Sequence, residues 1–503
     1  MKIYSVVKKY IKNKKLWKGI SGTYKYVFLR NNSTFLRKNG EKISLIDELK
    51  ARGLVQMISS LELKERICLN PISIYMGIDP TASSLHVGNL VALLPLLHFY
   101  LRGHNCFLVV RRVIGVIMLI ITCFSKLGGG TSRIGDPSGK TTERKILDLD
   151  AISKNCLKIE KQLCSFFENG LVYALERGYE ASDIGKYYIM NNLTWYDQFS
   201  LLDFLKVVGP NVRVGEMLAR DSVKSRLESN QGISFSEFTY QLLQAYDFFY
   251  LNKNYGVSIQ IGGNDQWGNI VAGIGLINKI NRQNFSENTS MSKILPYGIT
   301  VPLLFKKNGE KFGKSSNNAI WLNSDITTPY QLYQFFIQFS DETVEKYLRM
   351  FTLLSLNTIS EIMKQHLEDP SKRYAQRKLA EEVVILIHGK EEMKKSEITT
   401  QLLFLDTKKN EFETSRIIDI LSNKQNIIVL NKKNVIGITI SRVIKECDIA
   451  LTQINKLLRS GGIYNNGEKI TNPLMRITED RLIEKKFLIL RIGKKRHIII
   501  NVI

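Results

Sequence analysis

The spacing of apolar residues changes period along the chain, and those changes lay out its elements. Leu45, Leu49, Leu54 and Ile58 recur at near-helical spacing, which predicts a helical segment over residues 43–69. Pro71-Ile-Ser-Ile-Tyr75 is a short β-leaning run followed by Gly77, Pro80 and a Ser-Ser pair. Leu90-Val-Ala-Leu-Leu-Pro-Leu-Leu then starts a helix. Cys106-Phe-Leu-Val-Val110 reads as the next buried strand. Ile152 to Phe167 reads as an amphipathic helix with Leu157, Leu163 and Phe167 on one side. Leu201 to Val208 is apolar at helical spacing, as core or as subunit interface. A helix through Tyr240–Asp247 precedes a strand that begins at Val257 and ends in a Gly-Gly turn. From Pro329 to about Phe404 the pattern is helical, and residues 427–503 shift to short β-branched runs and turns. Strands alternating with helices predict an α/β fold around a parallel sheet.

One block stands outside that alternation. Val113 to Phe124 is twelve residues long and apolar, behind Arg111-Arg112. A membrane helix needs about 20 residues, so the block is too short to span.

Charge adds a second division. The chain has 503 residues, enough for two to four domains, and a formal net charge of +24. Residues 1–40 hold eleven Lys/Arg and no acid, and residues 427–503 hold fifteen Lys/Arg against six Asp/Glu. Only +4 remains for the centre. Basic flanks on a near-neutral body imply a polyanionic partner, a basic targeting arm, or both. The N-terminal arm, with scattered Ser, Thr and aromatics, resembles an organelle transit peptide; the alternative is a basic RNA-binding arm. No secretory h-region is present, which argues against secretion. The six cysteines include no C-x-x-C pair, so neither a disulfide framework nor a zinc site is supported.

Several stretches carry candidate chemistry. Tyr75 to Asn89 runs from strand through a Gly-containing turn into a helix, the layout that presents backbone N–H groups and a helix dipole to phosphate. His86 stands at the helix mouth, and Gly88 lets a ligand approach the backbone. An ordinary strand-to-helix connection fits this stretch equally well. Leu127 to Lys140 is a second Gly-rich loop, carrying Asp136 and Lys140 without P-loop spacing. Tyr240, Gln244 and Asp247 fall on one helical face among apolar neighbours, which suits a small polar ligand better than a solvated stripe. Gln260 to Asn269 places polar groups at the carboxyl end of a strand, where ligands collect in open α/β sheets. Lys307 to Ser316 carries Lys311 and Lys314 beside Ser315; taken alone it reads as an exposed basic loop.

Five of these signatures stand in one order. Y-x-G-x-D-P-T-A-x-S-L-H-V-G-N resembles the "HIGH" region of class I aminoacyl-tRNA synthetases. I-G-D-P-S-G-K, Y-x-x-L-Q-A-Y-D, Q-I-G-G-N-D-Q-W-G-N and K-F-G-K-S resemble in turn the other site motifs of the tyrosyl-tRNA synthetase family. The match spans roughly residues 45–503. It implies a Rossmann-like parallel-sheet catalytic domain over 41–325, an α-helical anticodon-side domain over 326–426 and a small α+β RNA-binding domain over 427–503. Two departures stand out. Asn89 replaces the second His of "HIGH", and sixteen residues, Arg111–Lys126, intervene where the family runs almost directly into its Gly-rich loop. We read that block as a retained intron; a messenger RNA encoding it would refute the reading.

The resemblance implies formation of tyrosyl-adenylate from tyrosine and ATP, then transfer of tyrosine to tRNA(Tyr). It implies catalytic roles for His86, Asn89, Lys311 and Lys314, the lysines on a loop that closes on the transition state. Tyr75 and Asp247 would hold the substrate phenol and Tyr240, Gln244 and Gln260 its amino and carboxyl groups, with Asp136 also in the tyrosine site. Gly77, Asp79, Thr81, Gly88, Gly263, Asp265, Gln266 and Ser315 would line the ATP site together with His86, Asn89, Lys311 and Lys314. Mg²⁺ would arrive with ATP, without a protein-built metal site. A homodimer, no membrane span, and a mitochondrial or plastid location (apicoplast-like included) complete the expectation, with the cytoplasm as the alternative. Two competing readings are a tryptophan-specific synthetase and a catalytically silent RNA-binding or splicing relative.

Overall fold

The computed structural model describes residues 44–110, 136, 138, 148–180, 184–228, 232–284, 294–304 and 319–404, and most of 427–503 apart from 448–456, 458–460, 467, 471, 473, 484 and 493–495. The basic arm 1–40, the block 111–126 and the lysine loop 307–316 lie outside the described residues. The described chain forms two compact units, residues 1–323 with 340–375, and residues 324–339 with 376–503.

The predicted helical segment over 43–69 is two helices with a strand between them. Helix α1 (Leu45–Ala51) ends where Gly53 takes φ 72°, a left-handed conformation that glycine adopts without strain. The chain then adds β1 (Met57–Ile58) to a sheet edge before α2 (Glu62–Leu69). Near-helical spacing of four apolar residues does not reveal an edge strand, because its partner lies more than 240 residues ahead.

Strands β2 (Ser73–Ile78), β3 (Asn105–Val110), β4 (Tyr187–Asn191), β5 (Val257–Gly263) and β6 (Tyr297–Val301) form a parallel sheet in the order β1-β6-β5-β2-β3-β4, with β1 antiparallel at one edge. Parallel strands need crossovers, and helices supply them. Helix α3 (Val87–Tyr100) follows β2 and is buried almost all round, as its unbroken apolar run requires. Helix α4 (Leu149–Leu175) is longer than its amphipathic pattern predicts. It buries Leu163 and Phe167 but leaves Leu157 exposed, since six residues along a helix turn the side chain well off the buried stripe. Helix α5 (Leu201–Val208) is core on one face only: Val208 is buried in the apolar cluster around Tyr75, with Phe204 and Val207 packed against it, while Leu201, Leu202 and Leu205 are exposed. Helix α6 (Phe235–Tyr255) ends at Gly256 with φ 68°, and α7 (Trp267–Asn284) packs beside it.

The same unit includes α9 (Asp341–Phe351) and α10 (Leu356–Glu368), which follow α8 (Pro329–Ile337) in the chain. Buried Arg52 ties α1 to the end of α9, donating to the carbonyls of Arg349, Thr352 and Leu354 at 2.8–3.2 Å. Its charge is met by Glu48 at 2.9 Å, which also pairs with Arg102. In the second unit α8 opens with a Thr328/Gln331 capping box, followed by α11 (Tyr374–His388) and α12 (Lys390–Phe404). The tail forms a second sheet, β7 (Ile427–Leu430), β8 (Ile463–Asn465), β9 (Glu468–Lys469), β10 (Phe487–Ile492) and β11 (Arg496–Val502), in the order β7-β11-β10-β8-β9. One face packs on α13 (Ile440–Lys445); the other sets Phe487, Ile489 and Ile499 against Tyr330 of α8.

Candidate active site

Chain order reverses between β2 and β5. From β2 the sheet grows to β3 and β4 on one side, and from β5 to β6 on the other. At such a switch point the loops leave in opposite directions and open a crevice at the carboxyl ends. Tyr75 and Gln260 are registered partners across it, both buried. The Tyr75 ring lies 5.4 Å from that of Phe248, within an apolar cluster that includes Phe107 and Trp195.

Asp247 precedes Phe248 on α6 and is fully buried. A carboxylate there requires donors. Trp195 Nε1 supplies one at 2.9 Å, and Asn192 Nδ2 a second at 3.3 Å. Neither was among the predicted site residues. Their only signal is a polar pair and a Trp directly after β4, and nothing there points to a carboxylate 52 residues on.

One turn back along α6, Gln244 joins a chain of side chains. Asn269 Nδ2 lies 3.2 Å from Gln244 Oε1 and 3.3 Å from both Gln266 Oε1 and Ser138 Oγ, three acceptors for two hydrogens. Gln266 Nε2 donates to Asp136 Oδ2 at 2.5 Å, and the other Asp136 oxygen accepts the Ser138 N–H. Asn269 and Ser138 lie in stretches singled out in the sequence, but neither was among the predicted site residues. Tyr240 completes the α6 face, donating its hydroxyl to Asp79 Oδ2 at 3.0 Å. The predicted i, i+4, i+7 face is therefore real, with all three residues buried. Gln260 Oε1 is buried with no hydrogen-bond partner among the described residues.

The residues predicted for the ATP site are carried by turns. Gly77 lies within β2, and the Thr81 N–H closes onto the Asp79 carbonyl at 2.8 Å. Gly263 ends β5, where a Cβ would come within 2.6 Å of Asp265 Oδ1, so a side chain would crowd this turn. His86 is the N-cap of α3, with Gly88 in its first turn. Asn89 Oδ1 accepts the His86 N–H at 2.9 Å, so what Asn89 offers a ligand is its Nδ2 end. Residues 320–322 lie against this mouth: Val87 donates to the Ile320 carbonyl at 2.9 Å, and Leu322 to the Leu85 carbonyl at 2.8 Å. The Trp321 ring stands edge-on to that of His86, 6.3 Å away. Lys311, Lys314 and Ser315 belong to the segment 305–318 and lie outside the described residues. Among the described residues no group of three or more His, Cys, Asp and Glu is placed to hold a metal ion, and no helix is long and apolar enough to cross a membrane.

A switch-point crevice flanked by a helix mouth is what an adenylate-forming class I synthetase requires, and residues 69–405 match the family model for class I tRNA synthetases (W and Y). The chain belongs to that class. Residues 432–500 match the tyrosine–tRNA ligase SYY-like C-terminal domain. The chain is 40% identical over 464 residues to the mitochondrial tyrosine–tRNA ligase of Saccharomyces cerevisiae, covering 91% of this chain and 89% of that protein. It is 38% identical to the chloroplastic/mitochondrial tyrosine–tRNA ligase of Arabidopsis thaliana, over 91% of this chain and 84% of that one. The crystal structure of a C-terminally truncated mitochondrial tyrosyl-tRNA synthetase from Aspergillus nidulans superposes with a TM-score of 0.63 at 36% identity, covering 73% of this chain and 96% of that one. Within the class, this chain is a member of the tyrosine–tRNA ligase family.

Proposed function

We propose that the chain activates L-tyrosine with ATP, releasing pyrophosphate, and transfers the tyrosyl group to the 3′ end of tRNA(Tyr) in an organelle. The observation that carries the amino-acid choice is the buried Asp247, fixed by Trp195 and Asn192 beside the Tyr75 cluster. The carboxylate can accept from a phenol hydroxyl or an indole N–H alike, but only the phenol oxygen can also accept from Tyr75, so the Tyr75–Asp247 pair suits tyrosine. The buried Gln260 oxygen supports the same reading, because a substrate ammonium would satisfy it.

The chemistry needs positioning more than a nucleophilic side chain. The tyrosine carboxylate attacks the α-phosphorus of ATP and pyrophosphate departs; the terminal ribose hydroxyl of tRNA then attacks the adenylate carbonyl. Tyr240, Gln244, Gln260 and Asp136 orient the amino acid. Thr81, Gly263, Asp265 and Gln266 take the adenosine side. His86 and Asn89 at the positive end of α3, with Lys311 and Lys314, meet charge growing on the phosphates. Mg²⁺ accompanies ATP as part of the substrate.

The C-terminal module and its positive charge take the tRNA. The exposed leucines of α5 are covered by a second copy of the chain. Mitochondrial and plastid relatives and the acid-free N-terminal arm favour a mitochondrion or plastid. The test is charging. The chain lacking residues 1–40 should attach labelled tyrosine to tRNA(Tyr) transcribed from either organellar genome. Binding of that tRNA without any charging would instead support the silent relative.

A further inference from the structure

The turn between β2 and α3 is held from two sides. Asn155 and Gln162 lie seven residues apart on α4, hence on one face. Asn155 Nδ2 donates to the Pro80 carbonyl at 3.1 Å, near the start of the turn. Gln162 Oε1 takes the Leu85 N–H at 3.0 Å and lies 3.0 Å from Ser84 Oγ, while its Nε2 reaches the Ser83 carbonyl at 3.4 Å. From the other side the Asn323 N–H donates to Ser84 Oγ at 3.2 Å. Ser84 and Leu85 are buried, and Leu85 belongs to neither β2 nor α3. Its N–H therefore needs a side-chain acceptor, which Gln162 provides.

We infer that Gln162 is a positioning residue for adenylate formation: its carboxamide fixes residues 83–85 and thereby the placement of His86 and the α3 mouth against the phosphates of ATP. The inference rests on the proposed activity. Gln162 does not touch the reacting atoms; it acts on the backbone directly preceding His86. The tyrosine pocket is anchored separately, through Trp195 and Asn192 on Asp247. Loss of Gln162 therefore impairs the phosphate side and spares the amino-acid side.

The test uses tyrosine-dependent ATP–pyrophosphate exchange in three proteins: wild type, Gln162→Leu, which keeps the bulk without the acceptor, and Gln162→Glu, which keeps it. Misplacement of the α3 mouth in Gln162→Leu should lower kcat on the order of 10–100-fold. The KM for tyrosine should stay near wild type, and Gln162→Glu should recover most of kcat. An unchanged kcat in Gln162→Leu, alongside normal wild-type exchange, overturns the positioning role alone. So does a parallel loss of kcat and tyrosine affinity that Gln162→Glu fails to rescue. No exchange in the wild type overturns the functional reading and this role with it. If Gln162→Leu does not fold, Asn155→Leu, which removes the hydrogen bond to Pro80 from the same face, is judged by the same kinetic split.

Discussion

At the scale of single residues, the proposed specificity rests on which polar groups are buried and what holds them. Asp247 keeps its orientation because Trp195 and Asn192 donate to it, so its carboxylate presents one fixed geometry rather than an average of several. Tyr75→Phe removes one hydroxyl and should lower kcat/KM for tyrosine roughly 10-fold, the worth of one hydrogen bond, narrowing the preference over phenylalanine. Asp247→Ala should cost more, because it also strands two buried donors. Kinetics with both amino acids check this; an unaltered tyrosine-to-phenylalanine ratio in Tyr75→Phe would count against the phenol pocket. His104 makes a separate claim about pH. Burial, reinforced by Arg102, pushes its imidazole down from 6.5 to about 3, and its Nδ1 accepts the Ile72 N–H at 3.2 Å, which only a neutral ring can do. Below about pH 6.5 the unfolded ring takes up a proton that the folded ring refuses. Stability is therefore lost as pH falls through that window towards 3. His104→Asn should flatten the dependence of Tm on pH between about 4.5 and 7, measured by thermal melts. An unchanged slope would assign the acid sensitivity elsewhere, for instance to His388, pushed down to about 4 by burial.

At the scale of elements, local pattern located what is local. The period of Tyr240, Gln244 and Asp247 gave one face of α6, and the β-leaning runs gave β2, β3 and β5. What stayed hidden involves partners far apart in the chain: Trp195 with Asp247, Gln162 with Leu85, Arg52 with the end of α9, and the edge strand β1. Periodicity reports which side of an element is buried and not what it is buried against. Helix α5 shows the limit from the other direction. Its apolar pattern fits core and exposed surface alike, and only the structure separates the inward Val208, Phe204 and Val207 from the exposed Leu201, Leu202 and Leu205. Leu202→Glu should convert the proposed dimer to a monomer in sedimentation equilibrium while leaving the melting profile of the monomer cooperative. A wild-type chain that sediments as a monomer would remove the proposed interface.

For the whole molecule, charge and shape divide the work. The near-neutral centre holds the crevice, and the basic tail folds as a separate sheet with α13 on one face. Arg442 and Lys445 are exposed on α13, and phosphate pairing by such residues gives binding its salt dependence. Replacing both with Gln should weaken tRNA binding and reduce the slope of log K against log salt by about one for each phosphate no longer neutralised. Amino-acid activation, which needs no tRNA, should be unaffected; an unchanged slope would place the tRNA elsewhere. The crevice itself is proposed to activate tyrosine. ATP–pyrophosphate exchange by the protein lacking residues 1–40 tests it most directly, with tyrosine, tryptophan and phenylalanine supplied in turn. Exchange with tyrosine, and little with the other two, is the predicted result. Exchange driven by tryptophan and not by tyrosine would contradict it.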